Sequence, residues 1–267
     1  MARIAAGVEY DGGPYHGWQS QRQAASVQQQ VELALTQVAD HPIEVTCAGR
    51  TDAGVHARAQ VIHFDTEAAR AATAWLLGAN RHLPGDISLQ WARPVPAHFH
   101  ARYSALKRSY RYLILNRKAR SALAAGRACC VHRPLDAAAM NAAAAWLRGE
   151  HDFSAFRSSE CQARSPVRRL ESIEVARHGD WLRVDVTANA FLHHMVRNIV
   201  GVLLAVGRGD APPERAREQL ESRQRSSGEA TAPAMGLYLW QVHYAPEFGL
   251  PGDSAMIGAH IGCWIAD

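Results

Sequence analysis

From Phe191 to Val206 the chain is apolar almost all the way round: Phe191, Leu192, Met195, Val196, Ile199, Val200, Val202, Leu203 and Leu204 leave little for solvent. The spacing predicts a helix enclosed by other elements. The 267 residues allow one large domain or two modest ones to enclose it. Arg197 lies inside this helix. A guanidinium keeps its proton and is costly to bury alone, so Arg197 either meets an anion, carboxylate or phosphate, or reaches the surface beside Asn198. His193 falls one turn earlier and could help line a site there. The longest apolar run, Ile199 to Gly207, is bounded by charged and polar residues and is far shorter than the roughly 18 to 20 residues a membrane span needs.

The other elements do not alternate regularly. Ile4 to Glu9 reads as a strand and Tyr10 to Gly17 as a turn-rich segment. Ser26 and Gln29 form a capping box ahead of Val27, Val31, Ala34, Leu35 and Val38, a helix ending near Asp40. Ile43, Val45 and Cys47 alternate as a half-buried strand, and another runs from about Ala59 to Phe64. Further on come a strand at Tyr110 to Leu115 and a helix capped by Asp136 and running through Met140 to Leu147. Strands at Ser172 to Arg177 and Trp181 to Thr187 flank a His178-Gly179-Asp180 turn. A polar, mobile loop is expected from Gly209 to Ala232 and a last strand from Leu237 to His243. Short turns between neighbouring strands favour an α+β fold with largely antiparallel pairing over a doubly wound sheet. The expected division is an N-terminal half, 1–102, a C-terminal half, 103–245, and a tail, 246–267.

Composition excludes several classes. Hydrophobic residues at 48% and charged residues at 20% are ordinary for a globular chain. Met1-Ala2-Arg3-Ile4 leads into strand-like sequence with no secretory pattern, which makes a cytoplasmic protein the default. Five cysteines with no C-x-x-C read as free thiols. Neither His98 and His100 nor the adjacent His193 and His194 have zinc-ligand spacing, so no metal is expected. Net charge is only +4, but two of the basic residues are lysine and 27 are arginine, which suits forked recognition of phosphate and would also follow from a GC-rich genome. Between Ile87 and Leu135 there is no Asp or Glu, while Arg93, Arg102, Lys107, Arg108, Arg111, Arg117, Lys118, Arg120, Arg127 and Arg133 all fall there. Such a strip meets either a polyanion or acids brought from elsewhere in the fold.

Two places look chemical. The loop Ala48-Gly49-Arg50-Thr51-Asp52-Ala53-Gly54-Val55-His56 lies between two strands and can present Arg50 and Asp52 as a fixed pair, unless Asp52 only ties up the turn. Tyr110 and Tyr112 share one face of their strand beside Lys107, Arg108 and Arg111, a pattern of RNA recognition that also fits rings facing a core.

Together the segments Tyr10-Asp11-Gly12-Gly13-Pro14-Tyr15-His16-Gly17-Trp18-Gln19-Ser20-Gln21 and Gly49-Arg50-Thr51-Asp52-Ala53-Gly54-Val55-His56-Ala57 closely resemble the tRNA pseudouridine synthase A family. The resemblance continues through Asn80 to Ile87, Phe99 to Arg102, Lys107 to Tyr112, His151 to Phe156, Phe191 to Gly201 and Ala234 to Leu237. The tail from Pro246 to Asp267 resembles nothing in the family. The resemblance implies conversion of uridine to pseudouridine at positions 38, 39 and 40 of the tRNA anticodon arm, without cofactor or metal. It makes Asp52 the nucleophile, Tyr110 the contact to the target base and Arg197 the partner of the catalytic carboxylate. Arg50 is placed to fill the gap left by a flipped nucleotide. Arg102, Arg108, Arg111, His193 and Leu237 join the RNA-binding set. The implied fold is α+β, two related halves around an antiparallel sheet, working as a homodimer with tRNA across both subunits.

Overall fold

The computed structural model describes residues 1–225 and 229–251, in two compact units. The first contains Met1–Leu106 and the described residues from Tyr238 on; the second is Lys107–Leu237. The last strand therefore joins the first unit, whereas the sequence reading placed it in the C-terminal half.

In the first unit β1 (Ala2–Tyr10) lies between β4 (Ile87–Val95) and β3 (His56–Thr66), antiparallel to both. The short β2 (Thr46–Cys47) also pairs with β3, and β10 (Leu237–Tyr244) runs parallel to β3, with Tyr238 opposite His56. Helices α1 (Val27–Ala39) and α2 (Ala72–His82) pack on each other, and Trp75 of α2 meets Phe64 of β3 edge-on at 5.1 Å. Ser26 caps α1 as its sequence predicts, accepting the Gln29 N–H, and Asp40 ends the helix in the left-handed region with φ 61°.

The strand expected through Ile43, Val45 and Cys47 shrinks to β2. Ile43 and Val45 are buried, but their N–H groups bond the Thr36 hydroxyl and the Glu32 carboxylate of α1, at 3.0 Å each, rather than a neighbouring strand. Helix α2 and strand β4 carried no clear periodic signal and were not expected.

The second unit is built on an antiparallel run: β5 (Ala105–Asn116), β9 (Trp181–Ala188), β8 (Val167–His178) and β7 (Gly149–Asp152), with β6 (Cys129–Val131) parallel to β5. The β8–β9 turn falls at the expected residues, with Gly179 at φ 56°. Helix α3 (Ala137–Ala145) is capped by Asp136, whose carboxylate accepts two backbone N–H groups. Helix α4 (Met195–Gly207) is buried throughout except at Arg197, which is half-buried.

Two expectations change here. Helix α4 begins at Met195 rather than Phe191, because His194 sits at φ 62° and breaks the helical run, so His193 lies in the entry turn rather than on the helix. The segment 209–232 is not one loop: α5 (Arg215–Ser222) forms within it and buries Ala216, Gln219 and Leu220. A helix of three buried residues is too short to reveal its period. Ser226 to Gly228 of that segment lie outside the described residues, as do the tail residues Asp253, Ile261, Cys263, Trp264, Ile265 and Asp267. Cys47, Cys129, Cys130 and Cys161 are free thiols. Among the described residues no helix is long and apolar enough to cross a membrane.

Candidate active site

In the first unit, the loop between β2 and β3 is held by backbone and buried groups at alternate residues. At its entry, Gln60 of β3, fully buried, donates its amide to the Gly49 carbonyl at 2.6 Å and accepts the Gly49 N–H. Two residues on, the Thr51 hydroxyl pairs with the Tyr10 hydroxyl at 2.8 Å, both groups buried, while the Thr51 carbonyl accepts the Trp18 N–H at 3.0 Å. The Asp52 carbonyl accepts Val55 N–H and the Tyr15 carbonyl accepts Gly54 N–H. Between these fixed points Arg50 is exposed and Asp52 half-exposed.

The segment Asp11 to Trp18 fits around this loop. A side chain at Gly12 would overlap the Val55 carbonyl, and Gly17 stands at φ 89° against the Thr51 carbonyl. Gly12 donates to His56 Nδ1 at 3.0 Å, and the His56 ring stacks on Tyr238 at 4.6 Å. Sequence reasoning missed Tyr10, Trp18, His56 and Gln60 as supports. The closely spaced glycines at 12, 13 and 17 were the available sign that backbone passes close by.

Arg102 belongs to the same unit. It is exposed, with its guanidinium 5.7 Å from the Tyr103 ring centre. Burial pushes the Cys47 thiol up to about 11, and the charges of Arg50 and Arg102 both draw it back down. The loop carrying Arg102 is tied down: Ala101 donates to His63 Nδ1 and accepts from Tyr244 Oη at 2.6 Å, and Phe248 packs on Phe99 at 5.0 Å.

In the second unit, the Tyr110 ring is half-buried on β5 and meets Phe191 edge-on at 4.9 Å. Tyr112 is fully buried, donates to the Pro233 carbonyl at 2.8 Å and has its hydroxyl pushed well above the ordinary tyrosine value, chiefly by burial. The two tyrosines thus separate into a partly open ring and a core ring. Arg197 donates from Nε to the Ala232 carbonyl at 2.8 Å, and its own carbonyl accepts the Ala232 N–H. His193 is half-buried, its carbonyl held by Ser158 N–H, and Leu237 is buried at the start of β10.

The basic strip is partly answered from within the fold. Arg111 is buried and grips Asp185 with two bonds of 2.6 and 3.0 Å, so it serves the sheet rather than the surface. Lys107 pairs with Glu171 at 3.1 Å and Arg133 with Asp210 at 2.9 Å. Arg108, half-buried, donates to the Asn189 carbonyl. Arg102, Lys118, Arg120 and Arg127 are exposed.

A family model described as tRNA pseudouridine synthase matches residues 6–104 and 143–245. The chain belongs to this family. Among its relatives, the tRNA pseudouridine synthase A of Methylococcus capsulatus is 54% identical over 252 residues, 94% of this chain and 93% of that protein. Those of Nitrosococcus oceani and Coxiella burnetii are each 53% identical, over 93% and 94% of this chain and 96% of their own lengths. The matched residues of the tRNA pseudouridine synthase family include the whole Asp52 loop, the Tyr10–Trp18 segment around it, and Arg197. They stop before Pro246, so the short turn that seats Phe248 on Phe99 lies outside the matched residues.

Proposed function

We propose that Asp52 is the nucleophile with which this chain converts uridine to pseudouridine at positions 38, 39 and 40 of the tRNA anticodon arm, without a cofactor. As a member of the tRNA pseudouridine synthases, the chain is an isomerase acting on uridine in tRNA. The observation that carries the finer assignment is the loop itself. Asp52 is the one carboxylate in a segment fixed on both sides by backbone and buried groups, and it is left half-exposed.

The reaction breaks the C1′ to N1 bond and joins C1′ to C5; the C5 proton is lost and N1 carries one at the end, so composition and oxidation state are unchanged. What the protein must supply is a held base and a group that attacks or deprotonates. An ionised carboxylate on a rigid loop meets the second need. Arg50, exposed two residues away, is suited to occupy the stack vacated by a flipped nucleotide. Tyr110 is assigned to the target base and Arg197 to the carboxylate, with the enzyme acting as a homodimer on tRNA.

The test maps pseudouridine by carbodiimide-dependent reverse-transcription stops. Unmodified tRNA incubated with the protein should gain stops at positions 38 to 40 only, and Asp52→Asn should give none while still binding tRNA. Stops at other positions, or an active Asp52→Asn variant, would overturn the assignment.

A further inference from the structure

The supports of the Asp52 loop are not equivalent. Gln60 and the Asp11 to Trp18 segment hold backbone groups, whereas one contact reaches the residue next to Asp52 through a side chain: the buried hydroxyl pair of Tyr10 and Thr51, 2.8 Å apart. Tyr10 is a firm anchor. It ends β1, where it pairs with Ala57 of β3 on one side and Ile87 of β4 on the other, and it is 3% exposed. Its ring lies 5.8 Å from that of Trp18, whose N–H holds the Thr51 carbonyl. Thr51 is therefore gripped at both hydroxyl and carbonyl, and the peptide joining it to Asp52 has little freedom.

We propose that Tyr10 is a positioning residue for the isomerisation, acting through the Thr51 hydroxyl to fix the direction in which Asp52 leaves the backbone. The inference rests on the reading of Asp52 as the catalytic carboxylate. The geometry points to a division of labour along the loop: Gly49 and Thr51 are held by buried groups, while the side chains of Arg50 and Asp52 are left exposed and half-exposed. Losing the Tyr10 hydroxyl leaves Thr51 with a buried, unsatisfied group, and losing both hydroxyls removes the bond that fixes the Thr51 side chain; in either case the 51–52 peptide is free to rotate or shift. Displacement of a reacting group by a fraction of an ångström to 1 Å slows a positioned reaction by up to about 100-fold.

The test compares Tyr10→Phe, Thr51→Val, Thr51→Ser and the double variant Tyr10→Phe/Thr51→Val, with Asp52→Asn alongside, for kcat, KM, tRNA affinity and Tm. Tyr10→Phe and Thr51→Val should each lower kcat roughly 10- to 100-fold with tRNA affinity within about twofold, and Thr51→Ser, which keeps the hydroxyl, should retain most of the rate. In the double variant both partners are apolar, so Tm should recover toward the wild type while kcat stays low. Recovery of kcat together with Tm would show that the pair serves stability alone. A Tyr10→Phe variant with wild-type kcat beside an inactive Asp52→Asn would overturn the positioning role and leave the catalytic assignment standing. Full activity in Asp52→Asn would overturn both.

Discussion

Gly12 measures how closely the Asp52 loop is enclosed. Any Cβ there would overlap the backbone of Val55, which cannot move without dragging the strand that begins at His56. Gly12→Ala should cost more than about 2 kcal/mol and reduce pseudouridine formation with it, as read by thermal denaturation and stop mapping. His63 offers a different test. Burial, with Arg3 adding to it, holds its imidazole down to about 4, and its Nδ1 accepts the Ala101 N–H. Because the folded value lies below the ordinary 6.5, the unfolded chain takes up a proton first as pH falls, so this contribution is complete above about 6.5 and lost on the way to about 4. Wild-type stability should decline across that window by on the order of 2 kcal/mol more than that of His63→Gln, measured by denaturant unfolding at several pH values. For Tyr110, Phe should keep the edge contact with Phe191 and lose the hydroxyl, whereas Ala should lose both. If the hydroxyl relays the C5 proton, Tyr110→Phe should lower kcat with little change in tRNA affinity. The bracketing glycines marked the Asp52 loop in the sequence, and the family resemblance singled out Asp52 within it. Its supports were not legible there, because Tyr10 lies 41 residues from Thr51 and nothing in a local pattern joins two hydroxyls across that distance.

Helix α4 and the strand β5 carry the second group of residues, and each is braced by a neighbour. The strap Ala230 to Ala232 runs against α4 so closely that a side chain at Gly201 would overlap the Ala230 carbonyl, while Arg197 bonds Ala232 through both side chain and backbone. Gly201→Ala should therefore push the strap away, loosen the Arg197 guanidinium and lower activity more than its cost of about 2 kcal/mol in stability would alone; activity well below the melting transition separates the two. On β5, Arg111 spends its fork on Asp185 across the β5–β9 ladder. The acid-free strip that put Arg111 in the RNA-binding set counts only its own stretch of chain and cannot show that β9 brings Asp185 opposite it. The same limit explains Ile43 and Val45, which alternate like a strand while their N–H groups go to side chains of α1. Where hydrophobic period and burial coincide over many residues, as in α1 and α4, the sequence alone was enough to find the helix, though not the start of α4, which the left-handed His194 sets at Met195.

Of the ten basic residues between Ile87 and Leu135, Lys107, Arg111, Arg117 and Arg133 are answered by acids, Arg93 and Arg108 bond backbone carbonyls, and Arg102, Lys118, Arg120 and Arg127 are exposed. Affinity for tRNA should fall steeply with salt, and Arg102→Ala should make the log–log slope shallower by roughly 0.7 to 0.9. Arg111→Ala should lower Tm and leave that slope as it was, a contrast that a filter-binding titration can read. The two-unit division also has a consequence during synthesis. The strand that lies parallel to β3 and brings Tyr238 onto His56 is made last, after the entire second unit. Emerging from the ribosome, the N-terminal stretch can form β1, β3 and β4 early, but the face of β3 that receives β10 waits for well over a hundred further residues. Vectorial folding thus leaves the Asp52-bearing unit open until the second unit has been made, and a chain released before Tyr238 would expose a strand edge of β3 where the folded protein has a neighbour.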